Sequence, residues 1–179
     1  FGGLHVYYLG TAEEASEKLD QVLEGYAMRA QTIIDFSFSE NTEDFMQFPN
    51  ISEELKTQLS EAIASVGTAA TGEEKMALIN QFSALFNDVH ACRKAYIAMY
   101  DAANKLFDFL DALIAVELIS EDEYEQWSDL VLDAQGHFIN GDVTTEEALA
   151  LAAKLNLIDE MLPQVDGVYQ LSTVGQLKL

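Results

Sequence analysis

From Glu73 to Gln135 the chain contains neither glycine nor proline. The two residues that most often end a regular element are missing from a long central stretch. Apolar side chains recur there at steps of three and four, the spacing of one helical face. Met76, Ile79, Phe82, Leu85, Phe86 and Val89 make one stripe; Tyr96, Met99, Tyr100, Ala103, Leu106, Leu110, Leu113 and Ile114 make another. One helix of that length is unusual in a compact domain, so a break or bend is expected between His90 and Lys94.

The rest of the chain reads the same way. A helix is expected over residues 12–36, with Leu19, Val22, Leu23, Tyr26, Ala30, Ile33 and Ile34 on one face. Thr11 with Glu14 forms its capping box. Asn50, answered by Glu53, should cap a second helix with Leu55, Leu59, Ala62, Ile63 and Val66 inward, stopped at Gly67. Thr71 with Glu74 caps the next. Ser120 with Glu123 opens a helix carrying Tyr124, Trp127, Val131, Ala134 and Phe138. Thr144 with Glu147 opens the last, with Leu151, Leu155, Ile158 and Leu162 inward and Pro163 at its end. The expected fold class is all-α, a bundle of about six helices. Short β-strands are expected at the termini, in residues 1–9 and Val168–Leu171. Ser172 or Thr173 could cap one further helix.

The helices fall into two sets of three. The segment TGEEKMALINQFSALFNDV aligns with TTEEALALAAKLNLIDEML when Thr71 is placed on Thr144, an offset of 73. Met76 then meets Leu149, Leu78 meets Leu151, Phe82 meets Leu155, Leu85 meets Ile158 and Val89 meets Leu162. The first helices align with Glu17 on Arg93, an offset of 76, so that Leu23 meets Met99 and Ala27 meets Ala103. Two tandem three-helix modules result, residues 11–91 and 92–164. Residues 1–10 read as the terminal strand of a preceding domain and 165–179 as the start of a following module. The chain does not begin with methionine, so a fragment or a processed product is expected, a monomer within a longer chain.

Charge narrows the partners. The 179 residues carry 31 acids against 9 bases, a formal net charge of −22. Such a surface repels phosphate backbones and anionic membrane surfaces, which excludes nucleic acid as a partner. A basic partner or a cation remains compatible with it. No apolar stretch, Ala112 to Val116 included, approaches the ~20 residues a membrane span needs, so no membrane insertion is expected. Hydrophobic residues make up 49%, enough for a core. Cys92 is the single cysteine, so the chain must hold together by packing without an internal disulfide.

No catalytic constellation stands out, and no enzyme activity or cofactor is expected. The histidines are His5, His90 and His137; His90 and Cys92, two apart, do not share a helical face. The acidic pairs Glu13-Glu14, Glu53-Glu54, Glu73-Glu74 and Glu146-Glu147 lie in first turns, where they suit the helix dipole. Neither Asp133–Thr144 nor Asn140–Leu151 has the glycine and spaced oxygen ligands of an EF-hand. The segment SFSENTEDFMQFP is aperiodic and acidic, and it follows Phe36. Its Phe38, Phe45, Met46 and Phe48 either anchor a partner protein or glycan, or fold back over the end of the bundle.

The order of long helix, second helix and T-x-E-E-capped third helix resembles the found-in-various-architectures (FIVAR) modules of bacterial secreted and surface proteins. The likeness is carried most by YEQWSDLVLDAQGHFINGDVTTEEALALAAKLNLIDEM, residues 124–161. GLHVYYLG resembles the final strand of jelly-roll carbohydrate-binding modules, although Gly3 stands where those often carry asparagine. DGVYQLSTVGQLKL resembles the opening of another module of such proteins. The resemblance implies an extracellular or cell-surface spacer or binding module, in adhesion or carbohydrate binding. The alternative is a free-standing acidic domain that binds a basic protein.

Overall fold

The computed structural model describes residues 11–37 and 49–162. Among the described residues all regular structure is helical, an all-α arrangement. Five α-helices occur: α1 (Ala12–Phe36), α2 (Glu53–Ser65), α3 (Gly72–Ala115), α4 (Glu121–Asn140) and α5 (Thr145–Met161). A 3₁₀ turn, Val66–Thr68, follows α2. The expected terminal strands and the Ser172/Thr173 cap lie outside the described residues.

Four helices start where sequence places a capping box. Thr11, Thr71, Ser120 and Thr144 each accept from the backbone N–H three residues on, at 3.2–3.3 Å, and Glu14, Glu74, Glu123 and Glu147 reach back to the cap N–H at 2.7–2.9 Å. Each box satisfies two backbone donors that a helix start leaves without partners.

The described residues contain five helices and not six, because α3 runs unbroken through the expected break at His90–Lys94. Its buried positions explain this. Leu78, Phe82, Leu85, Val89, Cys92, Tyr96, Met99, Ala103, Leu106, Leu110 and Leu113 are all buried, at steps of four and three without interruption. Cys92 keeps the pattern in phase across the supposed junction. A heptad-like pattern held in phase, with no glycine or proline, gives the backbone no reason to stop.

The chain forms two compact units. The first comprises residues 11–37 and Glu54–Val89 of the described chain, the second residues 49–53 and 90–162. In the first unit Leu23 and Ala30 of α1, Leu55, Leu59 and Ala62 of α2, and Leu78, Phe82, Leu85 and Val89 of α3 are buried. Tyr26 stacks on Phe86 at 5.6 Å between centroids and lies tilted against Phe82 at 6.0 Å. In the second unit α3 contributes residues from Cys92 to Leu113, and Val131, Ala134, Phe138, Ala148, Ala152, Leu155 and Ile158 come from α4 and α5. Phe138 packs between Tyr100 and Tyr96, with centroids at 4.6 and 6.4 Å.

Two expected core positions, Val22 and Met76, are instead 42% and 46% exposed. Both sit at the edge of their stripes. Asn50 does not cap α2 either: that helix begins at Glu53, and the Asn50 amide is engaged elsewhere.

Candidate functional site

Several polar side chains of the second unit, Asn50, Arg93 and Tyr96 among them, converge on the α4–α5 turn. Gly141 ends α4 in the left-handed conformation, φ 72°, and its N–H donates to the His137 carbonyl at 3.0 Å. Its own carbonyl accepts from the Glu53 N–H at 2.8 Å. The Asn50 Nδ2 donates to the Ile139 carbonyl at 2.7 Å, while its Oδ1 accepts from the Ile51 N–H at 2.9 Å. The Arg93 Nε donates to the Pro49 carbonyl at 3.1 Å, and the Tyr96 hydroxyl donates to the Val143 carbonyl. These bonds tie residues 49–53 to the turn and give its backbone carbonyls donors.

That knot is structural in its chemistry. Burial pushes the Cys92 thiol above its ordinary range, the opposite of the shift that activates a cysteine nucleophile. Burial likewise raises the Tyr96 phenol, so both groups stay protonated at neutral pH. Elsewhere a few polar side chains form close pairs. Lys75, 7% exposed in its side chain, donates to Ser16 Oγ at 2.8 Å and pairs with Asp20 at 2.6 Å. Lys105 pairs with Asp159 at 2.6 Å. His137 Nδ1 lies 2.7 Å from Asp142 Oδ1 on the surface. Glu74, Glu123 and Glu147 are held below the usual carboxylate range, chiefly by the backbone N–H groups of their caps. Among the described residues no three His, Cys, Asp or Glu side chains gather as a metal would need. An open groove of about 330 Å³ lies beside the 3₁₀ turn, lined by Ser65, Thr68, Ala69, Glu74, Ala77, Leu78 and Gln81. Its one charged group, Glu74, is already committed to the α3 cap.

The surface feature that stands apart is α5. Ala148, Ala152, Leu155 and Ile158 bury one face of it. On the opposite side Leu149, Ala153, Leu157 and Met161 follow at steps of four, and all are exposed; Leu149, Leu157 and Met161 are 51%, 55% and 77% accessible. A helix apolar on both sides normally has both sides covered. The exposed Glu146 and Glu160 lie on this outward side, near its two ends. Sequence reasoning missed it because Leu149, Leu157 and Met161 fall between the steps of the inward stripe. The signal was the apolar excess in ALALAAKLNLI, more than one face can bury.

Phe38, Phe45, Met46 and Phe48, the aromatic-loop residues expected to meet a partner, lie outside the described residues. Phe36, just before them, ends α1 and is 53% exposed. Neither a family model, nor a curated protein, nor a solved structure matches this chain.

Proposed function

We propose that the chain is a non-catalytic spacer and binding region built from two tandem three-helix modules, within a multidomain bacterial surface or secreted protein. Its main support is a pairing that recurs between the two units. The Arg29 guanidinium lies over the Phe86 ring at 4.3 Å, and Lys105 reaches Asp159 at 2.6 Å. The sequence offsets of 76 and 73 carry Arg29 onto Lys105 and Phe86 onto Asp159. A cation on the first helix thus meets the same position of the third helix in each unit. The surface location and the link to carbohydrate binding or adhesion rest on the FIVAR-like and jelly-roll-like sequence alone. An antibody raised against the chain tests the location: labelling of intact producing cells is the expected result, and labelling only after lysis would overturn the surface reading.

The second reading is an acidic interaction domain for a basic protein. It is favoured by the outward apolar side of α5 together with the net charge of −22. Opposite charge speeds and steers such an encounter, and salt weakens it.

A further inference from the structure

We propose that the outward side of α5 docks a basic amphipathic helix of a partner protein, an inference that rests on the second reading. Three observations carry it. The first is geometry. Leu149, Ala153, Leu157 and Met161 form a ridge at i, i+4, i+8 and i+12, the row that a partner helix meets when ridges of one pack into grooves of the other. Ala153, the smallest of the four, leaves a notch mid-ridge into which a partner side chain fits.

The second is charge. Glu146 and Glu160 are exposed on the same side, near the ends of the ridge. Fourteen residues of helix separate them by about 21 Å. A partner with lysine or arginine roughly four turns apart, flanking its own apolar stripe, pairs with both carboxylates while its stripe covers the leucines. The third argues against the simplest competitor. A second copy of this chain would bring another net charge of −22 to the contact, and like charge opposes that association.

The probe is a synthetic peptide of ~18 residues, helical, with leucines at steps of three and four and arginines near each end. A scrambled peptide of the same composition serves as control. Binding to the full chain is followed by fluorescence anisotropy at low and raised salt. The amphipathic peptide is expected to bind at least about tenfold more tightly than the scrambled one. Leu157→Asp should weaken it about tenfold with an unchanged melting transition, because the side chain it replaces is exposed. Glu146→Gln with Glu160→Gln should flatten the salt dependence.

Equal binding of both peptides, unaffected by Leu157→Asp, would overturn the α5 assignment and leave the acidic-interaction reading standing. No binding of either peptide would remove both. A dimer by sedimentation that Leu157→Asp dissolves would give the side to a second copy. Slow thiol labelling of Leu157→Cys in the free chain would show that the chain covers this side itself, and would also overturn the proposal.

Discussion

The Lys105 ammonium sits 2.6 Å from the Asp159 carboxylate, and the aspartate side chain is 7% exposed while the lysine is 53% exposed. A half-wet cation therefore neutralises a buried anion. Removing the lysine leaves the carboxylate buried without that ionic partner, which is the costly way to break such a pair. Lys105→Met is expected to destabilise the second unit by about 1–3 kcal/mol in denaturant unfolding. Replacing both partners, Lys105→Arg with Asp159→Phe, imports the arginine-on-aromatic pair found at Arg29 and Phe86. That double variant should unfold later than Lys105→Met alone. An equal or larger loss would mean that the two units do not pack these positions alike.

Lys75 makes the reverse case. Here the cation is buried and Asp20 is half exposed, with Ser16 supplying a second acceptor. Asp20→Ala should cost about 2 kcal/mol, because the ammonium loses its counter-charge in a dry site. The repeat offsets carry Ser16, Asp20 and Lys75 onto Cys92, Tyr96 and Ala148, all buried in the second unit. Under the proposed repeat, the equivalent place in the second unit holds a tyrosine, a thiol and a methyl group. Lys75→Met combined with Asp20→Leu should therefore be milder than Asp20→Ala, read from urea midpoints.

Gly141 is held by two constraints at once. Its φ of 72° disfavours any side chain, and an added Cβ would meet the Ile51 carbonyl oxygen at 2.6 Å and the Asn50 amide at 2.9 Å. Gly141→Ala should thus exceed the roughly 1 kcal/mol of an ordinary left-handed cap. Asn50→Ala removes the donor to the Ile139 carbonyl and should cost about 1–3 kcal/mol. The two losses should be less than additive, since both loosen the same turn.

Much of this fold could be read from sequence, and the failures have causes. The four boxes at Thr11, Thr71, Ser120 and Thr144 depend on local chemistry, and local chemistry is visible in a string of residues. The continuity of α3 was obscured by reading its stripe as two, one ending at Val89 and one starting at Tyr96. Cys92 bridges them, and a cysteine does not announce itself as a core residue the way a leucine does. Asn50 looked like a cap, yet its amide bonds to Ile139, 89 residues on. No local pattern encodes a partner that distant. The α5 ridge was hidden for another reason: a stripe template asks which residues face inward and ignores the apolar ones left over.

Acid and charge pull stability in opposite directions. Glu74, Glu123 and Glu147 have folded pKa values below their ordinary one, so the stability they add is present above the unfolded carboxylate range and is lost as pH falls through their folded values. The net charge of −22 acts the other way, because protonating surface acids between neutrality and the pI of about 4.1 relieves repulsion. Melting temperature followed by far-UV circular dichroism should rise as pH drops from 7 to about 5, then fall below about 4 as the caps protonate. Added salt should raise the melting temperature at pH 7 and matter less near pH 5. A monotonic fall from neutrality would mean that the caps and ion pairs outweigh the repulsion throughout.

Cys92 offers a probe of opening in the second unit. It is fully buried, its thiol is pushed up by desolvation, and Ser52 and Thr145 lie against it. The nucleophile toward a thiol reagent is the thiolate, so burial suppresses labelling both by access and by ionisation. In the native chain, modification by a disulfide reagent should be slow and should track the opening of the α3 stripe, reaching the rate of a free thiol only in denaturant. Gly141→Ala and Asn50→Ala loosen the turn that ties residues 49–53 in place, and Ser52 belongs to that segment. Both should speed labelling of Cys92, and Asp20→Ala in the first unit should have less effect. Rapid labelling of the unmodified chain would mean that residues 49–53 open readily in solution and that the hydrogen bonds of Asn50 and Gly141 do not hold them.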